Sequence, residues 1–236
     1  MSRKRQVLLG TVALASAAAV VPTGSAAWAG APSAGRSLSA IQAKAAAAVT
    51  LRVNTLNAAI ARVNADSRIG PGAPALVAYL QKDLPGLGQL GQKIAADPSA
   101  SVAGVDARTI FTDYRVLVLA IPAARLAAAS DKIDNTSVVK LTAASAKAAT
   151  YENAGNQATV APLLSDLNGQ ISSITSSTAG IASTVLGYTP AQWNTDHAVL
   201  FPSRSAMDAA RVDLKKARSD LQQVRAAIRA SHQSGS

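Results

Sequence analysis

From Val160 to Val185 the chain sets apolar or small residues at alternating steps of four and three: Val160, Leu164, Leu167, Ile171, Ile174, Thr178, Ile181 and Val185. Met207, Ala210, Leu214, Ala217, Leu221, Val224 and Ile228 repeat the pattern at steps of three and four. A period of 3.5 held over three heptads or more is that of a coiled-coil seam. A strand, whose faces alternate at every residue, would scatter those positions over both sides. Each segment predicts a helix of ~40 Å at 1.5 Å per residue. Between them, Gly187-Tyr188-Thr189-Pro190 reads as a turn, with Thr189 as N-cap and Pro190 at the first position of a short helix. That helix is expected to run to about Ala198 and to stop at Phe201-Pro202. Short connections favour antiparallel neighbours. The expected fold is therefore all-α: an elongated, antiparallel up-and-down bundle of about five long helices plus one short one, with coiled-coil-like seams.

The earlier segments agree with that architecture. Leu38, Ile41, Ala45, Val49, Val53, Leu56, Ile60 and Val63 form one helical stripe, capped by Ser37 or Ser39 and closed by Ile69-Gly70-Pro71-Gly72. A second stripe carries Leu76, Leu80, Leu84, Leu87, Leu90 and Ile94; Pro85, Gly86, Gly88 and Gly91 predict a kink or break in it, and Asp97-Pro98-Ser99 ends it. A third helix is expected from about Val105 through Phe111, Tyr114 and Val118 to Ile121, where Pro122 forces a break or bend. A fourth follows from Ala123 through Ile133 and Leu141 to about Tyr151, before the turn at Asn153-Ala154-Gly155-Asn156. Alanine dominates these segments; it has the best intrinsic helix propensity and lets helices approach closely. The chain has no cysteine, so packing alone must stabilise it.

The N-terminus speaks to compartment. Arg3, Lys4 and Arg5 precede an apolar run from Val7 to Val21, and Ala27-Trp28-Ala29 supplies a small-x-small cleavage pattern. This is the layout of a secretory signal peptide, with an apolar run too short to span a bilayer comfortably. The expected organisation is a cleaved signal peptide at 1–29, a flexible linker at 30–36, a single helical-bundle domain at 37–231 and a disordered tail at 232–236. The mature chain is expected to be secreted and extracellular, or wall-associated, without a transmembrane segment. Cleavage after residue 29 removes three bases and no acids from a chain of 23 bases and 13 acids, leaving a net charge of +7.

That charge is uneven. Residues 148–203 hold no lysine or arginine, whereas residues 204–236 hold seven bases and three acids. Arg204, Arg211, Arg218 and Arg225 recur every seven residues beside the last seam, and Lys215 and Arg229 extend the same face. Guanidinium groups in a column can grip phosphates or carboxylates of a polyanion, in a salt-dependent way. The plainer reading is that their aliphatic stems cover the seam while the heads stay in water, with Asp208, Asp213 and Asp220 neutralising part of the field. If the face is functional, an anionic wall polymer, an envelope protein or a membrane surface fits better than nucleic acid, because the helix lacks interleaved aromatics to stack bases.

A second candidate gathers Tyr188, Trp193, His197 and Phe201 in an aromatic-poor chain. Trp193 and His197 are four apart and share a helix face. They line a ligand pocket in one reading and plug the end of the bundle in the other. The third is Phe111-Thr112-Asp113-Tyr114-Arg115, followed by six consecutive apolar residues, Val116 to Ile121, which predict a helix buried on most sides. Asp113 and Arg115 then mark the solvent side of a turn.

Taken together, Ile41-Gln42-Ala43-Lys44-Ala45-Ala46, Gly91-Gln92-Lys93-Ile94-Ala95-Ala96-Asp97, Phe111-Thr112-Asp113-Tyr114-Arg115-Val116, Tyr188-Thr189-Pro190-Ala191-Gln192 and the signal peptide carry a resemblance. The chain resembles a group of uncharacterised exported helical proteins of actinobacteria. The resemblance implies a source and a compartment, and no site residues. Enzyme readings find little: no cysteine nucleophile, no histidines at metal spacing, and no HExxH, P-loop or GxSxG pattern. No catalytic residue, metal or cofactor is expected. Two functions stay open: a structural or interaction protein binding anionic wall polymer, and an extracellular small-ligand carrier with its pocket near Tyr188 to Phe201. Monomer and homo-oligomer both fit regular seams.

Overall fold

The computed structural model describes residues 37–234, which form helices joined by short turns with no strand among them. The expected signal peptide and linker, and residues 235–236 of the tail, lie outside the described residues. Helix α1 spans Leu38–Ala65, and Ser37 Oγ accepts from the Ala40 amide at 3.3 Å as its N-cap. A 3₁₀ segment, Ser67–Gly72, turns the chain through Gly70, whose φ of 65° suits a residue without Cβ. Then follow α2 (Ala73–Gln81), α3 (Leu84–Ala96) and α4 (Ala100–Thr112). The expected break in the second stripe falls at Lys82-Asp83, with Pro85 in the first turn of α3, where its missing amide proton is least needed.

The break expected at Pro122 falls elsewhere. The chain leaves the helix at Tyr114-Arg115, with Arg115 in the left-handed region at φ 45°, and re-enters through a π turn at Val116–Ala120. There the amides of Ala120 and Ile121 reach back five residues, to the carbonyls of Arg115 and Val116. Pro122 follows in the first turn of α5 (Ile121–Lys132), and the wider π spacing just ahead of it accommodates a residue that has no amide proton to give. A second π turn, Ile133–Val138, leads without interruption into α6 (Val139–Ala149). The run from Val116 to Ile121 is buried or half-buried throughout, as its composition predicts.

Helix α7 (Gln157–Thr178) breaks at Gly180, φ 71°, into α8 (Ile181–Gly187). The seam runs on across that break: every seam position from Val160 to Val185 is buried except Ile171, which is half-buried. The short helix α9 is Pro190–Thr195, with Thr189 and Gln192 closing a full capping box. It ends earlier than expected. Phe201-Pro202, expected to be a stop, instead begins α10 (Phe201–Ser234), since proline is compatible with a first turn. Helix α10 also runs through residues 232–234, so that part of the expected disordered tail is helical.

All seven seam residues of α10, Met207 to Ile228, are buried, chiefly against α7. The pair is antiparallel. Asn156 Nδ2 donates to Ser231 Oγ at 3.2 Å, and Ser173 Oγ donates to Asp213 Oδ2 at 2.6 Å, so the register descends on α10 as it ascends on α7. Helix α6 covers the other side of α7 and α10; α1 packs on α2, α3 and α4; α5 links the two groups and packs closely on α8. Ala123, Ala124 and Ala127 of α5 are buried, and their small side chains permit that approach. Where α7 meets α5, Ser130 Oγ donates to the Thr178 carbonyl at 3.1 Å. Thr178 is 1% exposed, and its Oγ1 lies 2.5 Å from Asp134 Oδ1 and 3.0 Å from the Ile174 carbonyl; its single proton goes to the carboxylate, the stronger acceptor.

Candidate functional sites

Helix geometry sorts the charges of α10. At 3.6 residues per turn, Arg204, Arg211, Lys215, Arg218, Arg225 and Arg229 fall within an arc of about 80°, roughly a quarter-turn from the seam. All six are exposed. Arg211 Nη1 pairs with Asp208 Oδ1 at 2.7 Å. Asp213 and Asp220 do not neutralise this face as expected, because the same geometry puts them on the opposite flank. There Asp213 accepts from Ser173 of α7 and lies 3.9 Å from Lys216 Nζ. Among the described residues, Lys215, Arg218, Arg225 and Arg229 have no carboxylate within ion-pair distance.

Two shallow grooves run along this face. Arg211, Lys215 and Arg218 surround Leu214 in one of them, together with Ser219 and Gln222. Their stems therefore flank the seam as the plainer reading expects, and their charged ends still reach solvent. The other groove, ≈ 510 Å³, lies between α10 and α6, where Arg225 and Arg229 meet Lys147 and Tyr151 over an alanine floor. Sequence reasoning missed Lys147 and Tyr151, because only the packing of α6 on α10 brings them to the basic face.

The α9 corner is neither buried nor plugged. Trp193 and His197 stack obliquely, ring centroids 5.5 Å apart and planes at 39°, yet α9 has no buried residue and His197 is exposed. Tyr188 is half-buried, and Phe201, in the first turn of α10, is 68% exposed. Leu200 between them is the residue that packs inward. What the fold adds is Arg115. Its Nε donates to Asn194 Oδ1 at 2.6 Å, and Asn194 Nδ2 donates to the Thr112 carbonyl at 3.0 Å, which ties α9 to the end of α4.

One further cluster has no sequence signature. Asp97 and Asp106, each 8% exposed, come together from the end of α3 and from α4, and each has a buried Oδ2 without a hydrogen-bond partner. Lys93 Nζ bonds Asp106 Oδ1 at 2.9 Å. Burial, and then the neighbouring Asp106, push the Asp97 carboxyl above its ordinary value, while Lys93 pulls it partly back. In α1, Arg52 is buried with its guanidinium 4.4 Å from the Phe111 ring centroid, and desolvation lowers its pKa. Among the described residues no group of three or more His, Asp or Glu is placed to hold a metal ion, and no helix is long and apolar enough to cross a membrane.

Comparison of the chain with known protein families, with curated proteins and with solved structures finds no match in any of the three.

Proposed function

We propose that this is an exported helical interaction protein, secreted or held at the cell envelope, that binds anionic wall polymer along α10. One observation carries the reading: Lys215, Arg218, Arg225 and Arg229 stand exposed on a single face without paired carboxylates, while Asp213 and Asp220 lie on the other flank. Seven-residue spacing sets successive arginines about 10 Å apart on a rigid rod. A flexible polyanion can meet several of them at once, with guanidinium forks suited to phosphate or carboxylate. Lys147 and Tyr151 widen the face at its α6 edge. The signal-peptide-like N-terminus supports an extracellular setting for such a polymer.

The test is co-sedimentation of the protein with a purified cell-envelope fraction at low and high salt. Retention is expected at low salt and lost at high salt, through screening and counterion uptake. The triple variant Arg211→Gln, Arg218→Gln, Arg225→Gln should remain in the supernatant at low salt. Equal retention of the triple variant, or retention indifferent to salt, refutes the proposal.

An extracellular small-ligand carrier using Tyr188, Trp193, His197 and Phe201 is the second reading. Arg115 favours it, since a left-handed non-glycine residue tied to Asn194, the residue after Trp193 in α9, is the kind of local strain that collects at ligand sites. A ligand seated there would shift the emission of Trp193.

A further inference from the structure

Helices α1 and α5 do not close on each other completely. Ala59 on one side and Ala124, Ala128 and Ala129 on the other leave a cavity of ≈ 230 Å³ between them. Its depth is apolar: Val63, Ile69, Leu80 and Ile121 line it, and all four are buried. For scale, an apolar cavity of roughly 150 Å³ accepts a benzene ring, so this one has room for a ring or a short alkyl chain.

Its mouth is cationic. Arg62 of α1 and Arg125 and Lys132 of α5 border it. Lys132 is already neutralised, with Nζ 2.6 Å from Asp66 Oδ2, and Asp66 also takes Arg68 at 2.8 Å. Arg62 and Arg125 are exposed, and among the described residues neither has an ion-pair or hydrogen-bond partner. Two uncompensated guanidinium groups above an apolar cavity complement a molecule with one anionic end and one short apolar end.

We propose that the α1–α5 cavity is a binding site for a small amphiphilic monoanion, an aliphatic carboxylate of medium chain length. The tail occupies the space between the alanines, and the carboxylate accepts from Arg62 and Arg125 at the rim. This site uses none of the α10 residues, so it stands or falls separately from polymer binding.

Octanoate titrated into the protein by calorimetry is the direct test, with octanol, octyltrimethylammonium and acetate as comparison solutes. Octanoate is expected to bind at one site per chain, and the other three to bind at least about tenfold more weakly, because each lacks the anionic end or the tail. The exposed double variant Arg62→Gln, Arg125→Gln should weaken octanoate about tenfold without changing helicity. Ala128→Leu, at a half-buried position, should block the tail and weaken octanoate in the same way. Absence of octanoate binding, equal binding of octanol, or unchanged affinity in both variants would overturn the proposal.

Discussion

The contact between Thr178 and Asp134 offers the sharpest test of what holds the α7–α8 corner against the rest of the bundle. Thr178 is the last residue of α7, where helix carbonyls have no intrahelical partner, and its carbonyl is satisfied by Ser130 from α5. Its hydroxyl meanwhile serves Asp134 at 2.5 Å in the π turn between α5 and α6. Thr178→Val keeps the shape and removes the donor. A hydrogen bond to a charged group contributes about 1.5–3 kcal/mol. Asp134 is half-buried, so solvent replaces part of that loss, and the added methyl group recovers up to ~0.8 kcal/mol by burial. The net destabilisation is then about 1–2 kcal/mol, or about 2–8 °C in melting temperature for a domain of this size. Because a methyl-for-hydroxyl exchange has effects of its own, the informative quantity is the coupling in a double-mutant cycle with Asp134→Ala. Urea unfolding followed by circular dichroism, with the slope held constant across the four proteins, measures it. A coupling near 1 kcal/mol or above is expected. Additivity within about 0.3–0.5 kcal/mol would show that the two side chains do not support each other, and the account of the corner would be wrong.

Two glycines in α3 should respond to alanine with opposite signs. A Cβ added at Gly88 would meet nothing within 4 Å, so Gly88→Ala should stabilise by about 0.5–1 kcal/mol through helix propensity; at Gly86 the new atom would lie 2.5 Å from Tyr114 Oη and 3.1 Å from the ring, so Gly86→Ala should lower the melting temperature. Melting curves of the two variants side by side check the pair, and a shared sign would refute the packing of Tyr114 on α3. For Asp97, a carboxyl whose folded pKa is raised binds its proton more tightly when folded, so stability falls as pH rises from the ordinary carboxylate range through the raised value. Asp97→Asn should therefore melt higher than the parent at neutral pH, with the gap closing as pH drops below about 4, the ordinary carboxylate value. Asp66 runs the other way: Arg68 and Lys132 hold its carboxyl far down, and its contribution is lost in acid, in parent and variant alike. A gap independent of pH would refute the assignment to Asp97.

The helices that pack along one partner with one period were the most legible part of this chain. The α7 and α10 seams could be read residue by residue because a single helix pair buries them, and the Thr189 cap because capping is a local matter. In α1 the stripe was right but incomplete: Arg52, seven residues after Ala45 and four before Leu56, lies on the same face and is buried with it, and Phe111 of α4 gives its guanidinium a ring to lie on. Pro122 misled because proline's effect depends on its position in a helix, and a π turn places it in a first turn. The chain break instead uses Arg115, a residue type with no left-handed preference to announce it. Of the candidate sites, the α10 column was visible as a repeat, and its edge on α6 was not. The α1–α5 cavity left no trace at all. Its alanines look like ordinary helix filler, and Arg62 and Arg125 come from helices far apart in the chain.

The π turn at Ile133–Val138 has a consequence for which changes the chain tolerates. With about 100° per residue, a plain α-helix would carry Leu141 roughly 80° around from Ile133. A π turn absorbs one extra residue, and the lag brings Leu141 back nearly under Ile133, so that Leu141, Ser145 and Ala148 all turn inward. Ser145 Oγ then meets Asn168 Oδ1 on α7 at 2.8 Å. The segment works as a spacer whose length counts for more than its letters. Substitutions at Thr136, Ser137 and Val138 should leave the phase of α6 intact, while Asp134 and Asn135 also hold Thr178 and the Ile69 carbonyl; a change of one residue in length would swing that whole face off α7, and with it the edge that Lys147 and Tyr151 lend to the basic helix.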